Sequence, residues 1–338
     1  MKFLVIRFSS IGDILLTTPL LRSLRQTYPR ADIGFAIKEQ FAPLLQHNPH
    51  INRMHTLKSG GTFKNLKSLK SEIRSHDYDV VIDIHNNLRS RYTRAGLGVK
   101  HYKYKKYKWK RFWLVHTRLN FYRRIIPVHL RYIQSIADFG VKDDGQGLEL
   151  SIPESMQHQM NARLTARGFD QTRLTVGVAA GAGFPTKRWP ADRFTAVCQQ
   201  LQAKHKAQIL LFGDKNDRSL TQRIQEGLQE DVWDLAGYCT LTETAAAMRN
   251  CDLLLCNDTG LMHMATALCV KVAAIFGCTT RELGFFPING RIIEHPGLAC
   301  RPCTHMGRRH CPKGHFRCML DLSVNDVYQA AAAQLKAT

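Results

Sequence analysis

The sequence predicts two doubly wound α/β domains, spanning about 1–150 and 151–338, and three observations lead there. Short, wholly apolar runs alternate with amphipathic segments of helical period, the signature of parallel strands covered by helices on both faces. That alternation lapses once, between Gly140 and Pro153, and then restarts. A chain of 338 residues is also long for one core and comfortable for two.

In the first half, Phe3–Phe8 reads as a buried strand and Ile14–Tyr28 as a helix ending before Pro29. Strands follow at Asp32–Ile37 and Arg53–Leu57, a helix at Phe63–Ser75 and a buried strand at Tyr78–Ile84. A basic, aromatic-rich insertion at about 100–124 interrupts the pattern. The second half offers strands at Leu174–Ala179, Gln208–Phe212, Leu253–Cys256 and Val270–Phe276. Helices between and after them are expected at Ala191–Lys204, Leu220–Gln229, Leu241–Arg249 and Leu261–Leu268. Val324–Leu335, capped by Ser323, closes the chain. Two such Rossmann-like domains facing a central cleft make the GT-B architecture. Ligands of such sheets bind beyond the carboxyl ends of the strands.

Composition narrows the class. The chain is 44% hydrophobic and 22% charged, the values of a globular protein. No apolar run reaches the ~20 residues of a membrane span. The run Phe3–Leu21 is broken by Arg7 and Asp13 and lacks the layout of a signal peptide, so the protein is expected in the cytoplasm. The formal charge is +21, and Ile84–Ala137 holds no Asp or Glu. Such a field draws polyanions: anionic headgroups, phosphorylated saccharides or nucleic acid. Within it, His101–Trp113 interleaves Lys105, Lys106 and Lys108 with aromatic rings. That pattern suits acceptor phosphates or the interface of an anionic leaflet, and a solvated basic loop is the plainer reading.

Four motifs carry chemistry. Ser9-Ser10-Ile11-Gly12-Asp13 follows the first strand and opens a helix. Gly12 suits a tight turn there, and Asp13 either caps the helix or accepts a proton from a sugar hydroxyl. Gly181–Pro190 follows the first strand of the second half; Thr186, Lys187 and Arg188 would meet the charge of a departing diphosphate, or decorate a structural turn. Cys256–Met264 ends a strand and starts a helix, where Asp258 and Thr259 cap, amides near Gly260 face a phosphate and His263 lies on the first turns. Gly213–Asp217 ends another strand, where Asp214 suits a ribose diol or a turn. Separately, Cys300, Cys303, Cys311 and Cys318 cluster, with the composition of a structural zinc or iron–sulfur site or of free thiols in a packed tail.

Together these motifs resemble glycosyltransferase family 9, the ADP-heptose:lipopolysaccharide heptosyltransferases, over nearly the whole chain. The matching residues are Arg7–Asp13 with Thr18-Pro19, Lys187–Pro190, Asn257–His263, and Ile275–Gly277 with Thr279. The resemblance implies an inverting GT-B enzyme needing no metal or other cofactor for catalysis. By it, Asp13 is the general base with Ser10 and Gly12 beside the acceptor, and Lys187 is the cation on the donor diphosphate. Thr186, Asp214, Asp258, Thr259, Gly260 and His263 then hold the donor, most simply ADP-heptose. Lys105, Lys106 and Lys108 meet an anionic lipid-linked acceptor, with peripheral contact at the inner face of the cytoplasmic membrane. The sequence departs from some heptosyltransferases at Gly213-Asp214, where they carry a glutamate toward adenosine, which leaves nucleotide and sugar open. The competing readings are a family 9 transferase of another nucleotide-sugar, a nucleotide-sugar epimerase and a basic nucleic-acid-binding protein. No nucleic-acid module signature appears, so nucleic acid is not an expected partner.

Overall fold

The structure, a computed structural model, describes residues 1–60, 62–228 and 230–336. Two compact units emerge: residues 1–106 with 126–151, and residues 107–125 with 152–338.

The first unit is built on a five-stranded parallel sheet. Its strands are β1 (Lys2–Ile6), β2 (Asp32–Lys38), β3 (Arg53–Leu57), β4 (Val80–Asp83) and β5 (Lys100–Tyr102), in the order β3-β2-β1-β4-β5. The central strand β1 is buried after its first residue because helices cover both faces. Leu4, Ile6, Ala36, Leu57, Leu69, Ile73 and Val81 close one side of the core.

Three expectations are corrected here. The segment from 14 to 28 is two helices, Ile11–Leu15 and Thr18–Thr27, and Pro19 in the first turn of the second marks the restart. Gly12 makes no tight turn; it is buried inside the first helix and its φ is not positive. The basic stretch begins as sheet, since Lys100–Tyr102 pairs with Val80–Ile82. Only residues 107–125, containing the helix Lys108–Thr117, group with the second unit.

The segment 140–153 forms no regular element, as expected of a connection, yet it is pinned down. The Arg22 guanidinium takes Asp144 at 2.6 and 2.8 Å, Glu149 at 2.8 Å and the Gly147 carbonyl at 2.9 Å. A forked cation with this many acceptors is the arrangement in which a half-buried ion pair stabilises.

The second unit carries a six-stranded parallel sheet: β6 (Thr175–Ala179), β7 (Gln208–Leu211), β8 (Val232–Asp234), β9 (Leu253–Asn257), β10 (Lys271–Phe276) and β11 (Arg291–Glu294). Their order is β11-β10-β9-β6-β7-β8. Trp189, Phe194, Leu201, Ile209, Leu255, Ile275 and Tyr328 belong to its main core. Ser323 caps the closing helix Val324–Lys336 through a reciprocal pair of bonds with Asp326. The expected helix over 220–229 runs Arg218–Glu226, and Gln229 lies outside the described residues. Among the described residues, no helix is long and apolar enough to cross a membrane.

Candidate active site

Parallel sheets gather polar residues at one end, because the strands themselves are buried and only their carboxyl termini open into loops. In the first unit that end is organised by Arg7, directly after β1. Its guanidinium donates to the Ser9 carbonyl at 2.8 Å and the Ile84 carbonyl at 2.9 Å, and pairs with Asp13 Oδ1 at 2.5 Å. The other Asp13 oxygen accepts from the Ser10 amide at 3.2 Å and the Ser10 hydroxyl at 3.0 Å. Asp13 thus caps its helix from the third position and keeps 19% of its side chain open to solvent.

Burial alone would raise the Asp13 carboxyl, but the Arg7 charge and the Ser10 hydrogen bonds outweigh it and hold the group below its ordinary value. Beside it, burial and then the Arg7 charge push His85 down to about 3, so its ring is neutral at physiological pH. Lys106 donates to the His85 carbonyl at 2.7 Å and the Asn86 carbonyl at 3.1 Å. That places Lys106 at the carboxyl end of β4, apart from a solvated basic loop, whereas Lys105 and Lys108 are exposed. Lys38, Lys58 and Arg89, with Glu39 and Ser59, line a cavity of about 250 Å³ beyond the ends of β2 and β3.

The second unit repeats the arrangement with different groups. Asn257, the last residue of β9, donates to the Ala180 carbonyl at 2.6 Å and accepts from the Trp189 amide at 3.1 Å. It therefore ties the ends of β9 and β6 to the loop carrying Thr186 and Lys187. Lys187 Nζ meets Asp258 Oδ2 at 2.7 Å, with the side chains 15% and 10% exposed. Thr279 donates to the same carboxylate oxygen at 2.7 Å. With Asp258 so engaged, it does not cap the next helix as expected. Thr259 is the N-cap residue, but its side chain makes no capping bond, so the helix Gly260–Ala267 opens on backbone amides. His263 is buried on that helix, one turn in.

Two donor-side expectations take other positions. Thr186 is buried, and its hydroxyl both donates to the Arg308 carbonyl at 2.9 Å and accepts from the Arg308 amide at 2.7 Å. Its hydroxyl clasps the cysteine-rich tail. Asp214 lies in an exposed turn, accepting from the Asn216 amide at 2.7 Å. The carboxylate at the end of β7 that faces inward is Asp217. A Cβ on Gly181 would stand 2.4 Å from its carboxylate atoms, so only glycine lets the two strand ends approach. Sequence reasoning missed Arg7, Asn257 and Asp217 as organisers. The signal for Asp217 was its place at the far end of the same turn as Asp214, just before the helix Arg218–Glu226.

The tail thiols are neighbours without forming a closed cage among the described residues. Burial first, then Cys278, Cys311 and Cys300, raise Cys303 to about 11. Burial, then Cys278 and other groups, raises Cys318 to about 12. Cys300 Sγ lies 3.8 Å from His315 Nε2, and the buried Cys278 bonds Thr186 through its thiol at 3.5 Å. The basic helix is close by: after burial, the charges of Arg111 and His116 hold His305 below its ordinary value. Trp109 and Phe112 on that helix are 56% and 55% exposed.

Comparison with known proteins now bears on this geometry. The model of glycosyltransferase family 9 (heptosyltransferase) matches residues 66–313. The chain belongs to that family. Among family 9 relatives, lipooligosaccharide heptosyltransferase 2 of Haemophilus ducreyi is 28% identical, covering 97% of this chain and 98% of its own. A family 9 glycosyl transferase from Veillonella parvula has the same fold, with TM-score 0.81, 22% identity and coverage of 99% and 97%. The E. coli heptosyltransferase WaaC, solved with ADP, gives TM-score 0.71 at 18% identity over 99% and 100%. The fold is therefore GT-B, and the protein is a glycosyltransferase.

Its carboxylate and imidazole beside Arg7 titrate below neutrality, which fixes the expected pH behaviour of this family 9 enzyme. Neither Asp13 nor His85 changes charge between about pH 5 and 8, so neither should put an acid limb on kcat in that range. A limb near pH 6.5 that disappears in His85→Gln would overturn the neutral-ring assignment.

Proposed function

We propose that the enzyme moves heptose from ADP-heptose to an anionic, lipid-linked saccharide of the lipopolysaccharide core, with inversion at the anomeric carbon. The observation that carries the reading is Asp13, held ionised by Arg7 and still partly open at the end of β1. An acceptor hydroxyl oxygen attacks the anomeric carbon as the bond to the diphosphate breaks. The electron pair of that bond leaves with ADP, and the hydroxyl proton passes to an Asp13 carboxylate oxygen. A carboxylate of low pKa suffices because the attacking oxygen becomes strongly acidic only once its new bond is forming.

Lys187 and the amides at the start of Gly260–Ala267 supply the charge that the departing diphosphate needs, so the step requires no metal. Asp258 holds Lys187 in place, His263 packs beneath that helix start, and Asp217, together with the nearby Asp214 turn, serves the ribose. The H. ducreyi relative's name and the ADP held by WaaC support this donor and acceptor class. Lys38, Lys58 and Arg89 suit acceptor anions. Asp13→Asn preserves size and removes the charge. We expect kcat to fall at least ~100-fold, with donor affinity changed less than threefold. Full transfer by a folded Asp13→Asn protein would remove Asp13 from the mechanism.

The exposed rings of Trp109, Phe112 and Trp113, flanked by Lys108 and Arg111, fit an anionic membrane surface. On this reading the enzyme works peripherally at the inner face of the cytoplasmic membrane. Lys105→Glu with Lys108→Glu should weaken binding to vesicles containing anionic lipid at least tenfold and leave ADP binding intact. Equal vesicle binding by the variant would sink that role.

Cys300, Cys303, Cys311 and Cys318 are the residues that would hold a structural zinc or iron–sulfur group. It would fix the tail that Thr186 clasps and take no part in transfer. Elemental analysis of tag-free protein should find metal lost on Cys300→Ser plus Cys303→Ser. An unchanged metal content would leave these as packed thiols.

A further inference from the structure

A second group of ligand-type side chains lies in the first unit, away from Arg7 and Asp13. His55 comes from the middle of β3, Glu72 from the last turn of the helix Phe63–Arg74, and His76 from the loop before β4. Each offers one nitrogen or oxygen, and these atoms lie within 4.8 Å of one another. His76 lies by the amino end of β1, where Lys2 Nζ meets its carbonyl at 3.0 Å.

The group has the layering of a metal site. His55 is fully buried, Glu72 is half exposed and His76 is partly exposed, so a fixed anchor sits below two ligands reachable from solvent. The anchor's orientation is set from behind, since Tyr78 Oη lies 2.6 Å from His55 Nε2. That phenol is itself built in. A Cβ on Gly34 would stand 1.9 Å from it, so the glycine of β2 leaves the space the hydroxyl fills. Asp32 lies two residues away on the same face of β2; its Oδ1 is buried with no hydrogen-bond partner, and its charge is felt at Tyr78.

The protons balance for an incoming cation. His55 Nδ1 now lies 2.7 Å from Glu72 Oε1, an acceptor, so the proton sits on Nδ1 and the Tyr78 hydroxyl donates to Nε2. An ion on Nδ1 takes the place of that proton. The proton moves to Nε2 and donates to the phenol oxygen, while the phenol hydrogen turns toward Asp32, whose carboxylate has acceptor capacity to spare. The imidazole stays neutral in both states, as a ligand must. The closing movement from 4.8 Å to bonding distance falls to the solvent-reachable side chains of Glu72 and His76.

We propose that His55, Glu72 and His76 form a site for a divalent transition ion of the zinc type, two imidazoles and a carboxylate with a fourth position for water. The ion braces β3 against the helix Phe63–Arg74 and the loop entering β4; it does not enter the transfer step. Tag-free, full-length protein stripped with chelator and titrated with Co²⁺ or Zn²⁺ tests this. Cobalt at a nitrogen–oxygen site gives visible bands without the near-ultraviolet thiolate charge transfer that cysteine ligands produce.

Such bands are expected for the wild type and for Cys300→Ser plus Cys303→Ser, and should be lost in Glu72→Gln and in His76→Ala. In the Cys300→Ser plus Cys303→Ser background, zinc at about a hundredfold excess over its Kd should raise the Tm by roughly 5 °C, and adding Glu72→Gln or His76→Ala should hold that rise within a degree. Transfer activity should be the same in His76→Ala, which separates this site from the catalytic reading. Cobalt spectra that show only thiolate bands, or zinc uptake unchanged in both Glu72→Gln and His76→Ala, would overturn the proposal.

Discussion

A guanidinium buried at the end of a parallel sheet is costly unless every donor finds an acceptor, and at Arg7 the acceptors are the parts of the site itself. The Ser9 and Ile84 carbonyls fix the ends of β1 and β4 against each other, and Asp13 completes the set. The pairing works in both directions. The arginine keeps the carboxylate ionised in a place where burial would neutralise it, and the carboxylate keeps the arginine from being an uncompensated charge. Ser10, Asp13, His85 and, through its carbonyl, Lys106 take their positions from this one contact.

The second unit meets the same geometric problem with a neutral organiser. Asn257 offers one donor and one acceptor, which is what joining two strand ends requires, and its lack of charge leaves the electrostatics to Lys187 and Asp258. This division suits the two proposed jobs, general base and leaving-group cation. A base must be kept anionic by a permanent neighbour. A cation for a leaving group is held by a carboxylate whose charge a bound diphosphate can supplement, poised at a helix start with no side-chain cap.

The alternation of apolar runs and amphipathic helices made the two sheets legible, because buried parallel strands leave a strong signal even when short. Three strands escaped: Lys100–Tyr102, Val232–Asp234 and Arg291–Glu294 lie at sheet edges and carry charged or half-buried residues that mask the pattern. Motif order located Asp13, Lys187 and Asp258 at strand ends. What the residues could not show was partnership. Thr186 is chemically apt for a phosphate, yet its hydroxyl is spent on Arg308, 122 positions along the chain. Asp214 and Asp217 are equivalent on paper, and burial with the close approach of Gly181 distinguishes them. Long-range hydrogen bonds have no local periodicity to betray them.

Residues 107–125 group with a unit whose first strand begins at Thr175. During synthesis from the amino terminus, this cationic, tryptophan-bearing stretch therefore leaves the ribosome well before the strands it settles with exist. Its rings contact one another in the folded protein, as Trp109 does Phe121 and Phe112 does His116. For that interval the nascent chain displays a polybasic, aromatic segment without the strands it finally packs among. The order of translation thus exposes this segment before the rest of the unit it belongs to has been made.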